Sequence, residues 1–165
     1  MWCFDRALRI GRLISLNLPK LEATATYNRE ANTIRVTVPT RKLLRPRPGT
    51  YYFVYFFHGI KPWESHPFTM KSWASRQSEN DSRPRQVLEF IVRPHNGLTA
   101  GLRKHLLLGS MEGNGATFIR SIKIAVEGPY GTPCDISQSS SILFIVGGNG
   151  ITVALSHLQA LHGYY

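Results

Sequence analysis

The chain has 165 residues, 42% of them hydrophobic, and a formal charge of +10. That length builds one domain of ordinary size, or one domain and part of another, and the apolar fraction is too high for a disordered tail. The longest apolar run, Tyr51 to Ile60, covers ten residues and contains His58, well short of the ~20 needed to cross a bilayer, so the chain as given is expected not to span a membrane.

Residues 2–18, WCFDRALRIGRLISLNL, read as an amphipathic helix. Leu8, Ile10, Leu13 and Leu16 are its apolar positions, and Arg6, Arg9 and Arg12 recur at threes. The same arginines interrupt any signal-peptide core. Two readings stay open for this segment. One is a surface helix with a solvated basic side; the other is a juxtamembrane helix on an anionic leaflet, with Trp2 and Phe4 at the interface.

From Lys20 to about Lys123 the pattern changes to short strands. Ala23–Tyr27 and Thr33–Val38 alternate with polar residues, Arg45–Gly49 is a turn, and Tyr51–Phe57 is a strongly aromatic strand. ESHPFTM (64–70) follows, then a polar loop over Ser75–Arg85 and a strand over Val87–Arg93 that ends at a proline. Leu98–Leu108 reads as a short helix and Thr117–Val126 as a strand. This spacing predicts a mainly β fold, a small antiparallel barrel with one short helix.

After Glu127-Gly128-Pro129-Tyr130-Gly131 the character changes again. Ser141–Val146, SILFIV, is a β-branched run of the kind found in parallel sheets. It enters GGNGIT (147–152), and Val153–His162 is a helix. Strand, glycine loop and helix form the opening half of a βαβ nucleotide-binding unit, here incomplete. The expected division is 1–18, 19–134 and 135–165.

Cys3 and Cys134 are far apart and have no metal-ligand spacing, and the histidines show no paired i, i+4 arrangement. Neither a disulfide framework nor a protein metal site is expected. Residues 1–50 carry ten Lys/Arg against three acids, and no Lys or Arg follows Lys123. Such asymmetry suits an anionic membrane, nucleic acid or a polyanionic ligand.

Several motifs are chemically legible. The glycines of GGNGIT let backbone approach a pyrophosphate, with helix-start amides facing it. Arg93 at a strand end and Thr99 at a helix start suit a phosphate clamp, or an N-cap beside a surface arginine. GPYG alone reads as an ordinary turn.

The order of these motifs carries more than any one of them. RPGTYYFVYF, then HPFT, then FIVR and GLT before a helix, then VEGPYG, then GGNGIT, resembles the ferric-chelate reductases of fungi. That family lies within the flavocytochrome superfamily that also contains the NADPH oxidases. Trp2, Asp5, Arg6, Arg9 and Arg12 resemble the segment after its last transmembrane helix.

The resemblance implies a Greek-key FAD-binding barrel followed by the start of an NADPH-binding domain. His66, Pro67, Phe68 and Thr69 would line the flavin, Arg93 would pair with the FAD pyrophosphate, and Gly97 and Thr99 would contribute helix-start contacts. Gly128, Pro129, Tyr130, Gly131, Gly147, Gly148, Gly150, Ile151 and Thr152 match the NADPH side. No side chain is expected to act as nucleophile or general base.

Complete members of that family carry heme-binding transmembrane helices before this segment and a longer nicotinamide domain after it. The chain is therefore expected to be a fragment, truncation or degenerate copy on the cytoplasmic side of a membrane protein, inactive alone. Ferric chelates would be the electron acceptor in the intact protein. The rival enzyme is a superoxide-generating NADPH oxidase. A rival of another class is a basic nucleic-acid-binding barrel built on YYFVYFF, against which contiguous aromatics place alternate rings inside a core; no nucleic-acid partner is expected.

Overall fold

Period-two alternation of apolar side chains organises the structure, a computed structural model that describes residues 11, 22–40, 46–57, 64–78, 81–109, 111–113 and 116–162. The strands are β1 (Glu22–Asn28), β2 (Thr33–Thr40), β3 (Tyr51–Phe56), β4 (Ser65–Ser78), β5 (Asp81–Val92), β6 (Met111–Gly113) and β7 (Thr117–Tyr130). Two helices are described, α1 (Leu98–Gly109) and α2 (Ile151–His162). Of the helix expected over residues 2–18 only Gly11 is described, so that expectation lies outside the described residues.

The strands follow the order β1-β2-β5-β4-β3-β7, and β7 pairs back onto β1 from Glu22↔Lys123 to Asn28↔Thr117. Each of these pairings is antiparallel. The sheet thus closes on itself as a six-stranded Greek-key barrel with β6 added beside β7, which removes the open edges an isolated sheet would expose. The expected mainly β barrel is what the chain forms.

The core lies inside this ring. In β3, Tyr52, Val54 and Phe56 point inward and are buried, while Tyr51, Phe53 and Tyr55 alternate to the outside. Ile34, Val36, Met70, Leu88, Phe90, Ile122 and Ile124 supply the facing side chains. Leu102 and Leu106, one helical turn apart on α1, are fully buried against the same core. Arg120 donates to the His105 carbonyl at 2.8 Å, satisfying an acceptor in the last turn of α1.

On the outer wall, Glu89 accepts hydrogen bonds from Lys71 and Ser72 and pairs with Arg35 at 2.9 Å. Burial works to raise this carboxyl, but those hydrogen bonds and the two cations together hold it below its ordinary range. The cluster ties β2, β4 and β5 together on the outer surface.

HPFT, which the sequence left without an element, belongs to β4 itself. Two local expectations change. The polar stretch Ser75–Arg85, expected as a loop, is mostly ladder: Ser75 pairs with Gln86, Arg76 with Arg85 and Ser78 with Asp81. A ribbon of this composition has no apolar alternation to announce it, and its backbone pairing alone defines it. Ser141–Val146, expected as a strand, has no ladder partner among the described residues. Leu143 and Ile145 there are 83% and 90% exposed; β-branched propensity makes no strand until a neighbour supplies the hydrogen bonds.

Candidate functional site

HPFT opens β4 along its edge with β3. Thr69 pairs with Tyr51, Phe68 with Tyr52, Pro67 with Phe53 and His66 with Val54. Phe68 turns toward the core and meets Phe56 edge to face, with centroids 6.2 Å apart. Pro67 is exposed on the outer side. The Nδ1 atom of His66 is buried without a hydrogen-bond partner among the described residues, and its Nε2 lies 3.8 Å from Glu64 Oε1. A buried imidazole nitrogen in that state calls for a polar group from elsewhere.

The β4–β5 ladder ends at Met70↔Phe90, after an irregularity between Met70 and Ser72. Residues 65–69 of β4 therefore run beyond that ladder. Antiparallel register puts Arg93, just past the end of β5, at this same end of the barrel. The Arg93 side chain is exposed. Gly97 takes φ +67, a conformation that favours glycine, and directly precedes α1. Gly101 N–H donates to Gly97 O at 3.0 Å, which leaves the earlier amides of the first turn without intrahelical acceptors. Thr99 Oγ1 accepts from His95 N–H at 3.0 Å, fixing the bend into the helix. A guanidinium next to free first-turn amides suits phosphate oxygens.

On the other side of β3, Tyr51 pairs with Tyr130. Thr69, Tyr51 and Tyr130 thus form one row across β4, β3 and β7, with the outer two residues about 10 Å apart at ordinary strand spacing. The Tyr51, Phe53 and Tyr130 rings form an aromatic cluster, with centroids 5.5–5.9 Å apart. Glu127, 1% exposed, accepts the Tyr55 hydroxyl proton at 2.8 Å and that of Tyr130 as well. Between Tyr51 and Phe53 the register with β7 shifts, so Gly128 and Pro129 form a bulge beside the row. Gly128 has φ +153, and a Cβ there would lie 2.7 Å from Tyr52 Cδ1. Gly131 follows, facing the Tyr51 ring.

GGNGIT is a 3-10 turn, Gly148–Gly150, leading into α2. Gly148 has φ +52, and Gly150 N–H donates to Gly147 O at 2.9 Å. Thr152 is buried, and its hydroxyl donates to Asn149 O at 2.9 Å. Gly147, Gly148, Gly150 and Ile151 are exposed. The helix lies against β4. Gly49 N–H donates to Ser156 Oγ at 3.0 Å, and the Gln159 amide brackets the Trp73 backbone, accepting from its N–H at 3.1 Å and donating to its carbonyl.

The structure therefore brings HPFT and GPYG onto one three-stranded face and puts Arg93, Gly97 and Thr99 at the adjoining end. Glu127, Tyr51, Ser156 and Gln159 were not singled out from sequence. Alternation along YYFVYFF marks Tyr51 as outward-facing; no sequence signal marks Gln159.

The FAD-binding domain family matches residues 15–134. Among curated proteins, the chain is 31% identical over 159 residues to ferric reductase transmembrane component 3 of Saccharomyces cerevisiae, covering 95% of this chain and 20% of that protein. It is 32% identical over 152 residues to ferric/cupric reductase transmembrane component 1 of Candida albicans, covering 92% of this chain and 18% of that protein. Ferric reduction oxidase 4 of Arabidopsis thaliana is 31% identical over 120 residues, 69% of this chain and 15% of that protein. The chain spans about a fifth of the length of the first two relatives.

Proposed function

The chain belongs to the FAD-binding domain family, in the branch of the ferric reductases, and on that premise we propose that it is the flavin-holding segment of a transmembrane ferric-chelate reductase. The observation that carries this reading is the junction at the start of β4. The buried His66 Nδ1, without a partner among the described residues, the end of the β4–β5 ladder and the Arg93–Gly97–Thr99 turn all occur at one end of the barrel.

Each residue has work that its setting permits. His66 offers a ring nitrogen to a polar edge, and Phe68 offers apolar surface anchored on Phe56. Thr69 presents a hydroxyl on the outer row, and Pro67 holds the backbone extended between them. Arg93 and the first-turn amides of α1, with Gly97 and Thr99, would take the pyrophosphate. FAD, when bound, supplies hydride acceptance and single-electron release; the chain's contribution is binding, orientation and exclusion of water.

On the second side, Gly128, Pro129, Tyr130 and Gly131, with Gly147, Gly148, Gly150, Ile151 and Thr152, would receive NADPH. Residues 19–134 would be the flavin unit and 135–165 the opening of the nicotinamide unit. Residues 1–18 would lie on an anionic membrane surface on the cytoplasmic side. Hemes in a transmembrane part would carry electrons on to a ferric chelate. The relatives, named as ferric and ferric/cupric reductases, favour a metal acceptor over oxygen. An assay of the reductase containing this segment, comparing ferric chelate with oxygen at equal flavin loading, tests that choice. Faster superoxide release than ferric reduction would overturn it.

A further inference from the structure

We propose that α2 is a strut, and that Gln159 and Ser156 are positioning residues that hold the Gly147–Gly150 turn in register with the flavin motif before any dinucleotide arrives. The inference rests on the reading of GGNGIT as the dinucleotide turn. The contacts that carry it come from α2 and the barrel, not from the turn itself.

β3 begins at Tyr51, opposite Thr69, and past the Met70 N–H bond to Thr50 O the β3-facing edge of β4 has no strand partner among the described residues. At Trp73 the Gln159 side-chain amide takes that place, accepting from the N–H and donating to the carbonyl. It is one amide group of ladder supplied by a helix. Ser156, fully buried, accepts from Gly49 N–H and donates to Val153 O at 2.7 Å, so both of its roles are used. His157 packs so closely on Gly49 that a Cβ there would lie 3.0 Å from Nε2.

These contacts also fix a direction. Met70 N–H bonds to Thr50 O and Thr50 N–H bonds to Arg47 O, so Gly49 sits in the turn that leads into β3 beside Met70. Passing from Ser156, on Gly49, to Gln159, on Trp73, therefore moves along β4 away from HPFT. The N-terminal end of α2, and the glycine turn before it, point the opposite way, toward the HPFT end of β4.

Hydrogen exchange read by mass spectrometry on the full chain tests this, with no ligand added. Gln159→Ala should speed exchange about tenfold in peptides covering 147–162 and at the Trp73 amide. Peptides covering Leu88–Val92 and Ile122–Val126 should be unchanged. Gln159→Glu keeps the acceptor for Trp73 N–H and should recover part of the protection. Gly49→Ala, acting from the barrel side, should give the same loss in 147–162. A nitroxide pair at Glu30→Cys and Asn149→Cys, with Cys3 and Cys134 changed to Ser, should give one narrow distance that broadens in Gln159→Ala. Unchanged exchange over 147–162, or an unchanged distance distribution, would overturn the proposal. FAD titration of the same samples is a separate readout: absence of flavin binding in the parent would count against the functional reading and leave the exchange result standing.

Discussion

The Tyr55 hydroxyl donates to the Glu127 carboxylate at 2.8 Å, inside a wall where Glu127 is 1% exposed. Tyr130 donates to the same carboxylate, so one buried acid sets the positions of phenols on two strands. Glu127→Gln keeps the shape but turns an NH2 toward one of the two O–H donors. The expected cost is about 1–2 kcal/mol of stability, read from urea unfolding. Tyr55→Phe, which removes one donor and leaves the acid solvated by the other, should cost less.

Gly128 is expected to tolerate no side chain. Its Cβ would meet Tyr52 Cδ1 at 2.7 Å and Tyr51 O at 3.2 Å, and its φ of +153 disfavours other residues. Tyr52 cannot yield easily, because it is fully buried and edge to face with Phe90. Gly128→Ala should lose about 2–3 kcal/mol. Gly97→Ala, with φ +67 but open space around it, should lose less; unfolding of the pair side by side checks the order.

The existence of these strands was largely readable in the sequence, because Ala23–Tyr27, Thr33–Val38 and Tyr51–Phe57 alternate inside and outside as a half-buried sheet must. α1 was readable as Leu98–Leu108. What escaped detection had physical reasons. The β4–β5 ribbon past Ser75 is held by backbone pairing that polar side chains do not announce. SILFIV has strand propensity but no ladder partner among the described residues. The docking of α2 depends on Gln159, an unremarkable helix residue until Trp73 is opposite it. Among candidate site residues, the order of motifs selected HPFT and GPYG, whereas their meeting across Tyr51 is a matter of register and required the fold.

His157 gives α2 docking a pH dependence. It is 4% exposed, packed on Gly49 and beside the Phe144 ring, and burial lowers its pKa. The undocked imidazole takes up its proton near pH ~6.5, before the docked one does. Docking is therefore fully stabilised above that pH and weakens as pH falls through it toward the lowered docked pKa. The sequence of α2, ITVALSHLQALH, contains no carboxylate to offset the charge. The protection of residues 147–162, corrected for the intrinsic pH dependence of amide exchange, should fall between pH 7 and pH 5, and His157→Gln should flatten that dependence.

Arg93→Ala separates the two ends of the flavin. Only FAD carries a pyrophosphate for the guanidinium, so its affinity should fall about tenfold while that for riboflavin is unchanged. An equal loss for both ligands would move Arg93 from the phosphate to the ring.

FAD capture itself is decided by titrating the folded chain and following flavin fluorescence at constant ionic strength. A saturable change is expected, tighter for FAD than for riboflavin and nearly independent of salt compared with a nucleic-acid interface. Fluorescence that shows no saturable change up to millimolar FAD, from a chain whose circular dichroism reports an intact barrel, would contradict the assignment of His66, Phe68, Thr69 and Arg93 to a flavin site.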